Sequence, residues 1–400
     1  MKNDGISRGK AGFRKRFGKM ENALSLKNDL SVAVVNKRKI VSFKGKELSI
    51  VFITLALVVF GIIMQYSASC YSAERETGDS FFYVKKQAVS AIVGLVAILL
   101  VPKLKLKYLF KARYIILAVA YVLLALVFVP GLGVEKYGAR RWINLGFTTL
   151  QPSEVAKFAL VIFIAGELSK KSAVTFKNML PILIATAIMC VLIMLEPNMS
   201  ITMCVGAVML IMLFIGGMKF KHFAAFAVPI AVLIPLMILL EPYRLKRLMA
   251  FLDPWASPQG EGYQLIQSFY ALGSGGFFGV GLFNSRQKYL FLPFAESDFI
   301  FSIIGEELGF VGSFFVIAVF VLIIFYGIRT AMRAEDRFSM FLVAGITAII
   351  AVQSVINIAV VSGSIPPTGL PLPFVSSGGS SLVMFMSGVG IMRSVALSHT

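Results

Sequence analysis

From residue 48 onward the chain is dominated by long apolar runs separated by short polar clusters. About 20 consecutive apolar residues suffice to cross the hydrocarbon core of a bilayer as a helix. Ten stretches reach or approach that length: 48–67, 84–101, 113–130, 153–169, 179–195, 199–217, 223–241, 299–328, 338–362 and 380–397. The eighth is long enough to kink or tilt near Gly309 or Gly312. The pattern predicts an all-α polytopic membrane protein of about ten transmembrane helices. An even number of spans puts both termini on one side.

Composition agrees with the pattern and narrows the chemistry. Apolar residues make up 58% of the 400-residue chain and charged residues 15%. Soluble domains average about 45–50% and about 25%, so a disordered chain and a water-soluble globule are both poor fits. Cys70, Cys190 and Cys204 are too few for a disulfide scaffold and lack zinc-ligand spacing. His222 and His399 lie far from the motifs described below, which leaves acid–base chemistry to carboxylates.

Charge sets the orientation. The formal net charge is +19, and thirteen Lys/Arg fall before Glu47. No apolar segment precedes Glu47, so residues 1–46 read as a basic cytoplasmic tail rather than a signal peptide. Its basic residues and phenylalanines supply topology charge or rest on anionic lipid. No nucleic-acid-reading motif is recognisable. Residues 47–400 then form the membrane domain. Lys103, Lys105, Lys107, Lys111 and Arg113 follow the second span; Lys170, Lys171 and Lys177 follow the fourth. Lys219 and Lys221 follow the sixth, and Arg329, Arg333 and Arg337 the eighth. By the positive-inside rule these loops face the cytoplasm. Segments 68–83, 131–152, 196–198, 242–298 and 363–379 then face outward, with 242–298 as a large extracytoplasmic loop.

Arg140, Arg141, Arg244, Lys246, Arg247, Arg286 and Lys288 lie on the outward side, where topology does not need them. Two readings stay open. They bind an anionic ligand, Arg forks matching phosphate oxygens, or they pair with Glu135, Glu241, Asp253 and Glu261 and with lipid headgroups.

Four segments carry candidate chemistry. Gly273-Ser274-Gly275-Gly276-Phe277-Phe278-Gly279-Val280-Gly281 permits close backbone approach to a ligand, or flexible packing. Asp298 ends the long loop where the eighth span begins. It reads equally as a helix N-cap and as a catalytic acid. With a helix start near Asp298, Ser302, Glu306 and Gly309 share its face, and Glu306 lies about 12 Å along the axis. Glu306 and Glu307 inside an apolar span are functional candidates by cost alone. Before the fourth span, Glu154 complements the helix dipole and can pair with Lys157 three residues on. Between the last two spans, residues 364–381 hold four prolines and few charges, which suggests a loop dipping to membrane depth. Its Ser376, Ser377 and following Gly and Ser amides either receive phosphate oxygens or form a rigid plug.

Arg141-Trp142-Ile143, Gln151-Pro152-Ser153-Glu154 with Lys157, Asp298-Phe299-Ile300-Phe301 with Gly305-Glu306-Glu307-Leu308-Gly309, and Pro366-Pro367-Thr368-Gly369-Leu370-Pro371-Leu372-Pro373-Phe374 with Ser376, Gly378 and Gly379 occur in that order. In these motifs and their order the chain resembles the SEDS family, which includes FtsW, RodA and SpoVE, over about residues 45–400. The resemblance implies a peptidoglycan glycosyltransferase acting on lipid II, a disaccharide-peptide on undecaprenyl pyrophosphate. It implies that Asp298 is the essential acid and that a class B penicillin-binding protein supplies transpeptidation. Two departures stand out. Asn198 occupies a position where the family usually has an acid, and Glu296-Ser297 replaces His-Thr, placing a like charge near Asp298.

On this reading Asp298 takes the acceptor hydroxyl's proton at the outer membrane face. Arg140, Arg141, Arg244, Arg247, Lys288, Glu154, Lys157, Glu306, Ser376 and Ser377 line the substrate site. Basic groups or a divalent cation, Mg or Mn, stabilise the leaving pyrophosphate. Membrane lipids are the other expected contact. The alternative is a lipid II flippase or other transporter of a lipid-linked substrate, with Glu306 near the midplane.

Overall fold

The computed structural model describes residues 47–136, 139–144, 146, 149–170, 176–219 and 242–398. The basic tail and the expected span 223–241 lie outside them. The helices in chain order are α1 (Glu47–Thr77), α2 (Phe82–Leu100), α3 (Leu106–Leu126), α4 (Pro152–Ser169), α5 (Phe176–Leu195), α6 (Met199–Ile215), α7 (Pro242–Leu252), α8 (Tyr263–Gly275), α9 (Ile300–Arg333), α10 (Arg337–Val361) and α11 (Gly379–Leu397). All but α7 and α8 coincide with expected spans. Seven are long and apolar enough to cross a membrane. Of the other two, α6 is short at 17 residues, and α4 carries Glu154, Lys157 and Glu167.

The charged helix is the central one. Nearly every residue of α4 is buried, and it packs against α3, α5, α6, α10 and α11. A helix apolar around most of its circumference has to be enclosed, and its two acids and lysine are tolerated only because each finds a partner. Outer helices such as α2 and α3 expose large apolar side chains, among them Ile92, Leu99, Ile115 and Val122.

The boundaries correct several expectations. α1 runs past residue 67 to Thr77, so most of 68–83 is helix. Residues 68–77 hold no glycine or proline, and the helix stops at Gly78, whose φ of +71° suits a helix stop. α3 starts at Leu106, so Lys107, Lys111 and Arg113 ride on a helix. Arg113 is buried and bonds Glu167 at 3.2 Å. Segment 131–152 is not a plain loop. It holds an antiparallel sheet, β1 (Gly133–Lys136), β2 (Ala139–Asn144) and β3 (Thr149–Leu150), in that order. In β2, Ala139 and Ile143 are buried while Arg140 and Asn144 are exposed, the period of two that a half-buried strand requires.

The long loop 242–298 is likewise folded, with α7 and α8 inside it. α8 lies on α9, and its end meets a break in that helix. Gly309 has φ 65° and ψ −163°, a region open essentially to glycine. The groups freed by the break are paired by the glycine-rich run: Val280 N to Glu306 O and Gly281 N to Glu307 O at 3.0 Å each, and Phe310 N to Gly276 O at 2.9 Å. A Cβ on Gly279 would overlap the Glu307 carbonyl. The glycines therefore serve backbone-to-backbone docking within the chain.

The segment before α11 does dip inward. A Cβ on Gly61, near the middle of α1, would sit 2.7 Å from the Phe374 carbonyl oxygen. Gly61 is 16 residues from Thr77, about 24 Å at helical rise. Gln87 of α2 secures the loop, donating to Ser376 O at 3.1 Å and accepting from Gly378 N at 3.3 Å.

Candidate active site

Asp298 stands just outside α9. The helix begins at Ile300, and Phe299 is its N-cap, without a side-chain cap bond. Asp298 is therefore neither the cap nor on a helical face with Ser302 and Glu306, and the 12 Å axial spacing does not apply. A turn in which Ser297 N and Phe299 N both donate to Phe294 O breaks the helical path first.

The backbone around Asp298 is fixed from two sides. Asn357 Nδ2, on α10, donates to Asp298 O at 2.8 Å and to Leu370 O at 2.7 Å. Ser376 Oγ donates to Ser297 O at 2.5 Å, and Ser377 N to Glu296 O at 2.9 Å. The half-buried Asp298 carboxylate itself has no hydrogen bond among the described residues. Gly369, at φ +65°, leaves room for it: a Cβ there would lie 3.1 Å from Asp298 Oδ2. Rigid backbone with an unengaged carboxylate is what a positioned acid or base needs.

Electrostatics tune the group. Although Asp298 keeps some solvent contact, the packed atoms around it desolvate the carboxyl, and Glu296 adds a like charge. Arg141 and Arg247 oppose both, leaving the pKa raised to about 7. Glu296 is itself raised, chiefly by burial. Because Glu296 raises Asp298, Glu296→Gln lowers the pKa of Asp298 while burial keeps it above the usual carboxylate range. The acid limb of the pH–rate profile should move to lower pH. An unmoved limb in the variant would show that Glu296 exerts no such influence.

The basic groups separate into different roles. Arg141 Nε donates to Glu196 O at 3.1 Å and Nη2 to Pro197 O at 2.5 Å, tying β2 to the turn between α5 and α6. Arg247 lies 3.8 Å from Glu261 and still acts on Asp298. Arg140 is exposed and bonds its cross-strand neighbour Glu135 at 3.3 Å, the pairing alternative. The Arg244 side chain falls outside what is described. Lys288 is a correction: it is not open to a ligand. It is 4% exposed, its Nζ 3.3 Å from Glu307 and bonded to Phe283 O and Ser67 Oγ. The loop folds back onto α9, and a buried ammonium needs that partner.

Glu306 is also occupied. Its carboxylate accepts from Ser285 Oγ at 2.5 Å and from Arg286 N at 2.9 Å, pinning the loop where α9 breaks. Glu154 and Lys157 form a closed buried cluster instead of lining a surface. They bond each other at 2.9 Å, with Ser381 Oγ on Glu154 and Gln353 Oε1 on Lys157. Gln353 passes the connection to Pro371 O, in the inward-dipping loop. The Ser376 hydroxyl is fully used, donating to Ser297 O and accepting from Leu372 N. The Ser377 and Gly378 amides are taken by Glu296 O and Gln87 Oε1. Neither Ser376 nor these amides are open to phosphate. Asn198 caps α6, accepting from Ile201 N. Among the described residues no three His, Cys, Asp or Glu side chains come together as metal ligands. Any divalent cation held by these residues would take ligands from the substrate diphosphate as well.

Sequence reasoning missed Asn357, Gln353 and Gln87. The first two had a signal: polar residues four apart on one face of an apolar span mark an internal polar stripe.

Comparisons with known proteins agree with this architecture. A family model described as Cell cycle protein, FtsW/RodA/SpoVE, matches residues 48–400. Stage V sporulation protein E of Bacillus subtilis is 38% identical over 354 residues, covering 88% of this chain and 96% of its own. A protein named probable peptidoglycan glycosyltransferase FtsW, from Trichlorobacter lovleyi, is 38% identical, covering 88% and 93%. Among solved structures, a chain from work on coordination of polymerization and crosslinking by a peptidoglycan synthase complex superposes with TM-score 0.74 at 28% identity, covering 88% and 97%. The rod shape determining protein RodA of Thermus thermophilus superposes with TM-score 0.65 at 25% identity, covering 88% and 96%. This chain belongs to the FtsW/RodA/SpoVE family of multi-pass bacterial cell-membrane proteins.

Proposed function

We propose that the protein is a peptidoglycan glycosyltransferase that polymerises lipid II at the outer membrane face, with Asp298 as general base. The observation that carries this reading is the Asp298 carboxylate: fixed through its backbone, free of hydrogen bonds among the described residues, and within electrostatic reach of Arg141 and Arg247. The names of the FtsW relatives support the same activity.

In the reaction, the acceptor sugar hydroxyl attacks the donor's anomeric carbon. A glycosidic C–O bond forms and the bond from that carbon to the diphosphate breaks. Asp298 takes the hydroxyl proton, and undecaprenyl pyrophosphate leaves with the bond's electron pair. A pKa near 7 suits a base at neutral pH, half ionised yet basic enough to accept. Arg141 and Arg247, whose charges act on Asp298, are the cations assigned to stabilise the departing diphosphate in this reading. Arg140 and Lys288 are not, one paired at the rim and the other buried. A class B penicillin-binding protein is the proposed partner; the match to a chain from a synthase complex that couples polymerization to crosslinking supports it.

Transport would need acids free to line a path. Glu306 and Glu307 instead hold the loop around residues 280–288, which favours chemistry at the Asp298 end. The test is incubation of the purified protein and its transpeptidase partner with labelled lipid II. Long glycan on a gel is the expected result. Intact lipid II, with label moved across vesicle bilayers, would establish the transport reading instead.

A further inference from the structure

The turn between α5 and α6 holds a carboxyl that the mechanism above does not use. Glu196 is fully buried, and neither carboxylate oxygen has a hydrogen-bond partner among the described residues. Leaving such a group unpaired is costly unless it is protonated or has a use. Its surroundings lead to the site from two directions. Arg141 bonds the carbonyls of Glu196 and Pro197 and acts on both Glu196 and Asp298. Ser200 Oγ, one helical turn further, donates to Thr368 O at 2.9 Å. The next residue, Gly369, borders the Asp298 carboxylate.

We infer that Glu196 is a positioning residue of this site: a buried carboxyl without a hydrogen-bond partner among the described residues, held beside Arg141, that leaves the guanidinium's charge to the substrate diphosphate. The inference rests on the glycosyltransferase reading for its substrate and adds a control on the diphosphate-binding cation. Neutral, Glu196 leaves the Arg141 charge directed at the site. Ionised, it becomes a competing partner for the same guanidinium in a medium of low dielectric, where charge pairing is strong. Arg141, from β2, is the charged group acting on Glu196; Glu296, Arg141 and Arg247 act on Asp298. Burial raises the Glu196 pKa to about 8 against the opposing pull of Arg141. The acid is therefore mostly protonated at neutral pH and ionises just above it.

The sign follows. Polymerisation by the parent protein should decline on the alkaline side, with a limb starting near 8 and levelling off about tenfold lower. Glu196→Gln keeps the volume and cannot ionise. It should polymerise at neutral pH within about tenfold of the parent and lose the alkaline decline, a change in profile shape that a purely structural role would not produce. A second arm measures binding of a short polyprenyl diphosphate to the parent protein, which requires no turnover. Affinity should fall about tenfold across the same limb, within the usual range for coupled sites, and stay level in Glu196→Gln.

An alkaline limb retained in the variant, or diphosphate affinity in the parent that ignores pH, overturns the inference. So does a folded Glu196→Gln protein inactive at every pH, which would make the ionisable group itself essential. If the parent fails to polymerise lipid II, the glycosyltransferase reading fails, and the diphosphate arm still decides on Glu196.

Discussion

Asp298→Asn removes polymerisation while the protein stays folded and continues to bind its lipid substrate. Loss of a general base costs about 10²–10⁴-fold in turnover. The loss should appear in kcat with little change in KM, because the carboxylate acts as the bond forms and the diphosphate is held elsewhere. Stability should not fall. The Asp298 side chain makes no hydrogen bond among the described residues, and the contacts that fix this segment run through the carbonyls of 296, 297 and 298. The raised pKa gives the same sign: the fold disfavours the ionised carboxyl, so removing its charge at neutral pH costs nothing in folding. Glycan synthesis and thermal unfolding, measured on one preparation, check both halves. Turnover within tenfold of the parent would remove Asp298 from the role of base.

The second large effect concerns the centre of the bundle. Lys157 and Glu154 are each about 1% exposed and 2.9 Å apart. Lys157→Met leaves the Glu154 carboxylate buried with only Ser381 as partner among the described residues. Stranding one member of a buried pair costs about 3–5 kcal/mol. The same substitution frees Gln353, which links α10 to the carbonyl of Pro371 in the inward-dipping loop. Activity should therefore fall together with the melting temperature, through displacement of the loop that borders Asp298. Adding Glu154→Gln to Lys157→Met removes the stranded charge and should restore much of the lost stability. A double variant no more stable than the single one would mean that the pair does not act as a charge pair.

Spans were legible because an apolar run of bilayer length has one simple explanation, and α2, α4, α5 and α10 fall within a few residues of their expected ends. Asp298 was legible as a candidate from its place at a span boundary and from the family resemblance. Its freedom was not, since only tertiary contacts show that Phe299 takes the cap position and that Asn357 and Ser376 hold the backbone. The basic residues misled for a related reason. Loop charges have no periodicity that reports direction, so Lys288 and Arg140 looked alike until the loop was seen folded back onto Glu307. The sheet at 133–150 was hidden in strands of six residues or fewer, too short for a clear alternation. Glu196 was hidden because one acid beside a proline has no pattern at all.

The most direct test of the central claim is the rate of glycan formation as a function of pH, with saturating lipid II and the protein joined to its transpeptidase. A carboxylate base tuned by burial and by Glu296 predicts an acid limb at about 7, which shifts downward in Glu296→Gln. A rate that stays level through neutrality and falls only in the ordinary carboxylate range would contradict the placement of this chemistry on Asp298.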